Sequence, residues 1–461
     1  MNLMAQAKNS GFNTKLGVIM AAAGSAIGLG NIWKFPYEAG QHGGGAFLLV
    51  YLLCVVVFGM PLLMTELLIG RKAGQSTFSA FRAISGTNRW QWLGWWSALT
   101  VFVLTGFYFV VTGWCVDYLY EAVIHSYAGM STDQLLAHFN ANVSNTPKML
   151  ICSLLPVLAT ASILWFGVSK GIERLSKILM PLLLVMMILM TVRVLMLDGS
   201  GAGLRFFFAP DFSQITPSTI MTAAGQCFFS LSVGLGLLIT YGAYMPANQD
   251  ATSVSFVVAL LDTIVAVFAG VIIFPAVFAF GFDPAEGPEL VFVVLPAVFQ
   301  HMSFAWLSGV FFFFLLFIAA LTSTISLMEV IVVSIMELSR GKLNRHHCVL
   351  ISAAVVCVVV AVYVLSMTGA WSSLQVFGYN LFELGDMLVT TFMMPLGALA
   401  MSLFVGWFMP LQDKDLVPYS QKRYKQWLRP LFVFTLRWVV PIAIVLIFLN
   451  GLGVFSAFTR G

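Results

Sequence analysis

The chain has 461 residues, 60% of them hydrophobic and 9% charged, with a mean hydropathy of +0.93. That composition excludes a soluble globular domain and describes a polypeptide built for a bilayer. The net charge of +4 says little, but its distribution along the chain says more. Residues 1–14 (MNLMAQAKNSGFNT) are polar and mixed, so no signal peptide is expected there. Eleven spans are expected near 15–38, 45–70, 91–124, 148–168, 172–197, 217–245, 252–281, 304–338, 347–367, 380–409 and 431–453. A further apolar piece, 289–303, follows Pro288, carries Pro296 and is too short to cross; it reads as a re-entrant or external hairpin.

Two spans contain their own breakers. Residues 24–36 read GSAIGLGNIWKFP, with Gly24, Gly28, Gly30 and Pro36, and residues 230–244 read SLSVGLGLLITYGAY, with Gly234 and Gly236. A break exposes backbone groups that lipid cannot satisfy, so it persists only where protein buries it or a cavity hydrates it. Paired breaks of this kind point to a transporter's binding site. Free carbonyls around Gly24 to Ile27 suit a hard cation. Free N–H groups near Gly28 and Gly30 suit a carboxylate. The competing reading is a GxxxG packing face, which Gly24–Gly28 also fits; the second break and Pro36 favour the functional one.

Lys and Arg set the orientation. With the N-terminus inside, the inner loops hold Lys8, Lys15, Arg71, Lys72, Arg82, Arg89, Lys170, Arg174, Lys177, Arg340, Lys342 and Arg345, and the later cluster from Lys414 to Arg437. The outer side holds only Lys148, Arg193, Arg205 and Arg460, and Lys34 is intramembrane. This predicts a cytoplasmic N-terminus and, after eleven spans, an extracytoplasmic C-terminus. Cys54, Cys115, Cys152, Cys227, Cys348 and Cys357 read as small packing residues, not a disulfide framework. No two of the six histidines share a mid-membrane helix face, which argues against a haem site.

The blocks GLGNIWKFPY (28–37), HGGGAF (42–47), QCFFSLSVGLG (226–236) and ALTSTISLMEV (320–330) resemble the signature of the neurotransmitter:sodium symporter family. The resemblance runs over about residues 12–410. It implies an all-α membrane protein with the leucine-transporter-type fold: two inverted five-helix repeats (15–197 and 217–409), an additional span (431–453), and spans 1 and 6 broken at mid-membrane, within one polytopic domain over 1–461. Eleven spans resemble the shorter bacterial amino-acid transporters, which implies a bacterial cytoplasmic (inner) membrane.

By this resemblance, one sodium site would use the carbonyls of Gly24, Ile27 and Ala319 with the hydroxyls of Thr322 and Ser323. The other would use the Ala26 carbonyl, the Asn31 amide, Ser230 and Asp262, completed by the substrate carboxylate. Back-bonding to carbonyls one turn earlier is the alternative for the hydroxyls. Asp262 stands where the family more often has Asn, and an ionised form needs a partner. Tyr108 resembles the tyrosine that bonds the substrate carboxylate, with Ala26, Gly28, Gly30 and Ser230 beside it. Monoamine members carry Asp at the place of Gly28, so the amino-acid branch is implied. Leu104, Phe229, Ser232, Leu235, Ser323 and Leu327 would form an apolar pocket with a hydroxyl rim.

Glu66 resembles the glutamate that braces the broken helices. Lys34 and Asp386, with Glu383 one turn away and Phe229 below, resemble the outer gate; Lys lacks the bidentate fork of Arg, so a looser pair is expected. At the inner gate Phe12 takes the place of a Trp, and Lys8 with Glu337 is the nearest charge pair. The resulting expectation is a symporter, not an enzyme. It would import a zwitterionic, hydrophobic or aromatic L-amino acid by alternating access, coupled to one or two Na⁺. Chloride is not expected to be required, because Asp262 lies one turn from the usual place of a fixed carboxylate, here Ala266. A sensor or channel on the same fold is the alternative. The oligomeric state is left open, and lipid is the only further partner.

Overall fold

A computed structural model describes residues 11–246, 249–285, 290–302, 304–368, 371, 373–409 and 428–451. Among these, nine helices are long and apolar enough to cross a bilayer, from Gly45–Ala73 (span 2) to Arg429–Leu449 (span 11). Span 1 adds a tenth as a pair, Lys15–Ala26 and Gly30–Gln41, bent by 47°. Span 6 is Pro217–Ser230 and Leu237–Ala243, each too short to cross alone. Every expected span therefore has its helix, and the two expected breaks are where the glycines put them. The hairpin piece is the short helix Leu290–Gln300, whose side chains from Leu290 to Phe299 are buried.

Caps start these helices. The Thr14 hydroxyl accepts the Gly17 N–H at 3.0 Å ahead of span 1, and Thr216 accepts the Thr219 N–H at 3.2 Å ahead of span 6, with Pro217 in its first turn. Five stretches of π-helix (Gly30–Lys34, Val55–Gly59, Leu290–Val294, Leu388–Met393 and Thr435–Val439) run straight into Pro36, Pro61, Pro296, Pro395 and Pro441. Proline lacks an N–H and its ring crowds the carbonyl one turn back, so the upstream turn widens to keep its remaining bonds.

Spans 3 (Gln91–Ile124) and 8 (Ala305–Leu338) are the longest described helices, at 34 residues each, and pack along one another. Broken span 1 packs on spans 5, 7 and 8. With the N-terminus taken as inside, as the charges predict, the outer piece of span 6 (Pro217–Ser230) packs on the first half of span 2, and its inner piece (Leu237–Ala243) on the second half. Each broken span opens a set of five, spans 1–5 and 6–10. Because five crossings is an odd number, the second set runs inverted to the first, and span 11 stands outside both. Spans 4 and 5 turn residues such as Ile151, Leu158 and Leu189 outward, each more than half exposed, as a lipid-facing surface requires.

Candidate functional site

The two breaks meet at the centre of the bundle. Span 1 stops at Ile27, which is extended (φ −72°, ψ 103°) and donates its N–H to the Ala23 carbonyl at 2.7 Å. The amides that follow are not left free: Gly28 donates to Asn31 Oδ1 at 3.1 Å, and Leu29 to the Tyr108 hydroxyl oxygen at 3.1 Å. A Cβ on Gly28 would lie 2.4 Å from Ser323 Oγ and 2.5 Å from Tyr108 Oη, so only glycine fits between them. Tyr108 accepts from Leu29, which leaves its own O–H as a donor.

In span 6 the chain unwinds from Leu231 to Gly236, with Ser232 (φ +53°), Gly234 (φ +87°) and Gly236 (φ +73°) in the left-handed region. A serine held there costs on the order of 1–3 kcal/mol. Its hydroxyl donates to the Ser25 carbonyl at 3.2 Å, tying break to break. Glu66 braces this segment: Oε1 accepts from Gly234 at 2.8 Å and Gly236 at 3.1 Å, and Oε2 from Leu238 at 3.1 Å. All of these bonds go to span 6, so the expected brace serves one break where two were expected.

Between the breaks lies a small cavity. Ala26, Gly30, Leu104, Tyr108, Phe229, Ser232, Leu235, Ser323 and Leu327 line it, together with Ser25 and Leu237, which the sequence reading missed. Apolar periodicity does not mark Ser25, and Leu237 opens the second helix of span 6. Gly28 stands just behind Tyr108 and Ser323. Ser230 is absent from the lining and faces the other way.

Ser230 belongs to a fully buried polar cluster. Asn31 Nδ2 donates to Asp262 Oδ1 at 2.8 Å, to the Asp262 carbonyl at 3.1 Å and to Ser230 Oγ at 2.9 Å. Asp262 Oδ2 accepts from Ser230 at 2.8 Å and Tyr51 at 3.2 Å. The partners that the Asp262 carboxylate needs are thus three neutral donors. On the far side of span 1, Thr322 donates to the Ala319 carbonyl at 3.0 Å, and Ser323 lies 3.4 Å from the Gly24 and Ser25 carbonyls and 3.5 Å from that of Ala319. Back-bonding within span 8 and convergence on span 1 therefore coexist. Both oxygen-rich clusters present the donor chemistry a sodium ion takes.

At the gate positions Lys34 is not closely paired, in line with the looser pair expected of a lysine. No ion pair within 4.0 Å joins Lys34 to Asp386; the Lys34 ammonium lies 4.8 Å from the centre of the Phe229 ring. Glu383 caps its own helix by accepting the Asn380 N–H at 3.1 Å. Lacking a guanidinium fork, Lys34 settles on the aromatic face. A wider vestibule, with a volume of about 340 Å³, is lined by Lys34, Glu38, Gln226 and Phe392 among others.

At the inner side Phe12 packs edge-on to Tyr241 (5.6 Å between ring centres) and Tyr244 (6.2 Å), and its N–H donates to the Tyr244 carbonyl at 3.1 Å. Lys8 lies outside the described residues, and Glu337 accepts the Ser76 N–H at 3.0 Å. The charge pair at this side is a different one. Arg345 donates to Glu329 through both terminal nitrogens, at 2.8 and 2.6 Å, and Tyr244 adds a bond at 2.8 Å. Arg345 was counted as a loop charge. A carboxylate in the middle of an apolar span was the available signal for Glu329, since such a group must have a partner.

A sequence model of the "Sodium:neurotransmitter symporter family" matches residues 9–143 and 134–459. A protein of Bacillus subtilis (strain 168), described as an uncharacterized sodium-dependent transporter, is 36% identical over 457 residues, covering 98% of this chain and 100% of that one. A similarly described protein of Haemophilus influenzae is 32% identical, with 96% and 98% covered. The crystal structure of MhsT in complex with L-phenylalanine superposes with a TM-score of 0.87 at 36% identity, covering 95% of this chain and 99% of that one. The broken spans, the cavity they enclose and these matches agree: the chain belongs to the sodium:neurotransmitter symporter family and is a sodium-dependent membrane transporter.

Proposed function

We propose that this protein imports a zwitterionic, hydrophobic or aromatic L-amino acid across a bacterial cytoplasmic membrane, driven by Na⁺. The observation that carries the reading is the cavity itself. Its polar end holds Tyr108 and Ser323 around Gly28, and its other walls are Leu104, Phe229, Leu235, Leu237 and Leu327. A carboxylate fits the first and an apolar side chain the second. The solved relative holds L-phenylalanine, which has both.

Two sodium ions fit the two clusters: one at Gly24, Ile27, Ala319, Thr322 and Ser323, the other at Ala26, Asn31, Ser230 and Asp262, next to the substrate carboxylate. Asp262 supplies a fixed negative charge where Tyr51 and Ser230 converge, so transport proceeds without chloride. Bound ions order the broken segments and shift the population toward the occluded state, from which the inner seal opens. In this reading the repeats are 15–197 and 217–409, and the N-terminus is cytoplasmic. Uptake of labelled L-phenylalanine into proteoliposomes, with and without an inward Na⁺ gradient, is the test.

A further inference from the structure

Thr77 opens the loop helix Thr77–Ser85 that follows span 2, and it is fully buried. Its hydroxyl donates to the Gly236 carbonyl, lies 3.0 Å from Thr240 Oγ, and its N–H reaches the same Oγ at 3.4 Å. Gly236 is the residue whose N–H is held by Glu66. Both polar groups of this one peptide position are therefore fixed, at the point where span 6 resumes its helix. The fit is close: a Cβ on Gly236 would lie 2.5 Å from the Thr77 methyl and 3.0 Å from Ser97.

The two holders are anchored differently. Glu66 is on span 2, which packs along the inner piece of span 6, so the two form one unit. The loop helix touches span 2 as well, but its side-chain ties run to span 3: Gln91 Nε2 donates to the Phe78 carbonyl at 2.7 Å, and Phe78 meets Trp95 edge-on with ring centres 4.5 Å apart. Any route from the cavity to the inner side that parts span 6 from span 3 must break the Thr77 bonds while leaving those of Glu66 intact.

We propose that Thr77 is a positioning residue, a latch that holds the inner piece of span 6 closed against span 3 and is released and remade in each transport cycle. It touches neither substrate nor ion. The inference goes beyond the proposed substrate and does not depend on it, because its test needs no substrate.

The test uses purified full-length protein in detergent with a reporter cysteine, Ser326→Cys, in the contact between span 8 and Tyr241 of span 6 (2.7 Å). The rate of thiol labelling is measured with and without Na⁺, against the same protein without the reporter. Thr77→Val keeps the shape and removes the hydroxyl. Losing one net hydrogen bond shifts the closed–open balance roughly three- to tenfold, so labelling should speed up by that factor. Thr77→Ser, which keeps the hydroxyl, should return the rate to that of the parent. If Thr77→Val is not recovered folded, Thr77→Ala is read the same way. Unchanged labelling in a folded hydroxyl-free variant overturns the proposal. So does a Thr77→Ser protein as fast as Thr77→Val, since the methyl would then be what matters.

Discussion

Asp262→Asn removes one charge from the centre of the buried cluster and almost nothing else. The side chain is fully buried and its oxygens take bonds from Asn31 at 2.8 Å, Ser230 at 2.8 Å and Tyr51 at 3.2 Å. An amide keeps the shape but places an NH₂ where one carboxylate oxygen had accepted two hydroxyls. Each bond to a charged acceptor is worth about 1.5–3 kcal/mol, and a neutral acceptor roughly half of that. The larger effect is on the cation. A unit charge about 4 Å from a sodium ion contributes roughly 4 kcal/mol at an effective dielectric constant of about 20. Relaxation reduces this, so the half-saturating Na⁺ concentration should rise by at least about tenfold, since 1.4 kcal/mol is a factor of ten. The Tyr51 and Ser230 hydroxyls, left without their acceptor, become donors for an anion. The expected result is a variant that is inactive or that regains uptake when chloride replaces gluconate. Wild-type uptake should be the same in both anions. Wild-type uptake that collapses in gluconate, or an Asn variant fully active there with unchanged Na⁺ dependence, would refute the reasoning.

Three further outcomes follow from the site. The double variant Thr322→Ala with Ser323→Ala removes both hydroxyls beside the Ala319 and Gly24 carbonyls; uptake should lose its normal Na⁺ drive while the protein stays folded, and normal drive would show that the cluster holds no ion. Gly28→Asp puts a side chain into Ser323 and Tyr108 and a carboxylate beside the substrate's own, where like charges cost several kcal/mol, an order-of-magnitude figure; retained binding of unchanged affinity would place the substrate carboxylate elsewhere. In a competition panel, substrates from leucine to tryptophan in size should displace labelled phenylalanine better than glycine or glutamate, and a panel led by either of those would contradict the apolar walls.

The intramembrane rules made much of this site readable in the sequence. Breakers inside apolar stretches located both unwound segments, and the family resemblance marked Glu66 and Asp262, two intramembrane acids that each need partners. What stayed hidden depends on distances that no spacing encodes. Glu329 and Arg345 are separated by the turn between spans 8 and 9, and only the fold shows that the loop charge reaches back into the membrane. Lys34 and Asp386 lie on spans 1 and 10, and the ammonium takes the Phe229 ring, a matter of rotamer and reach. Ser25 lies in the stretch whose carbonyls were expected to be free, and only the bend shows that it also lines the cavity. Thr77 opens a short loop helix whose apolar stripe is Phe78, Phe81 and Ile84, so the pattern marks its neighbours and not the threonine, which the fold buries all the same.

The most direct measurement is initial-rate uptake of labelled L-phenylalanine into proteoliposomes holding the purified protein, at equal substrate concentration with and without an inward Na⁺ gradient. The account predicts concentrative uptake only with the gradient, rising saturably with outside Na⁺ and abolished by Gly28→Asp. Uptake that is equal with choline in place of Na⁺, or Na⁺-driven flux that ignores the Gly28 substitution, would contradict it.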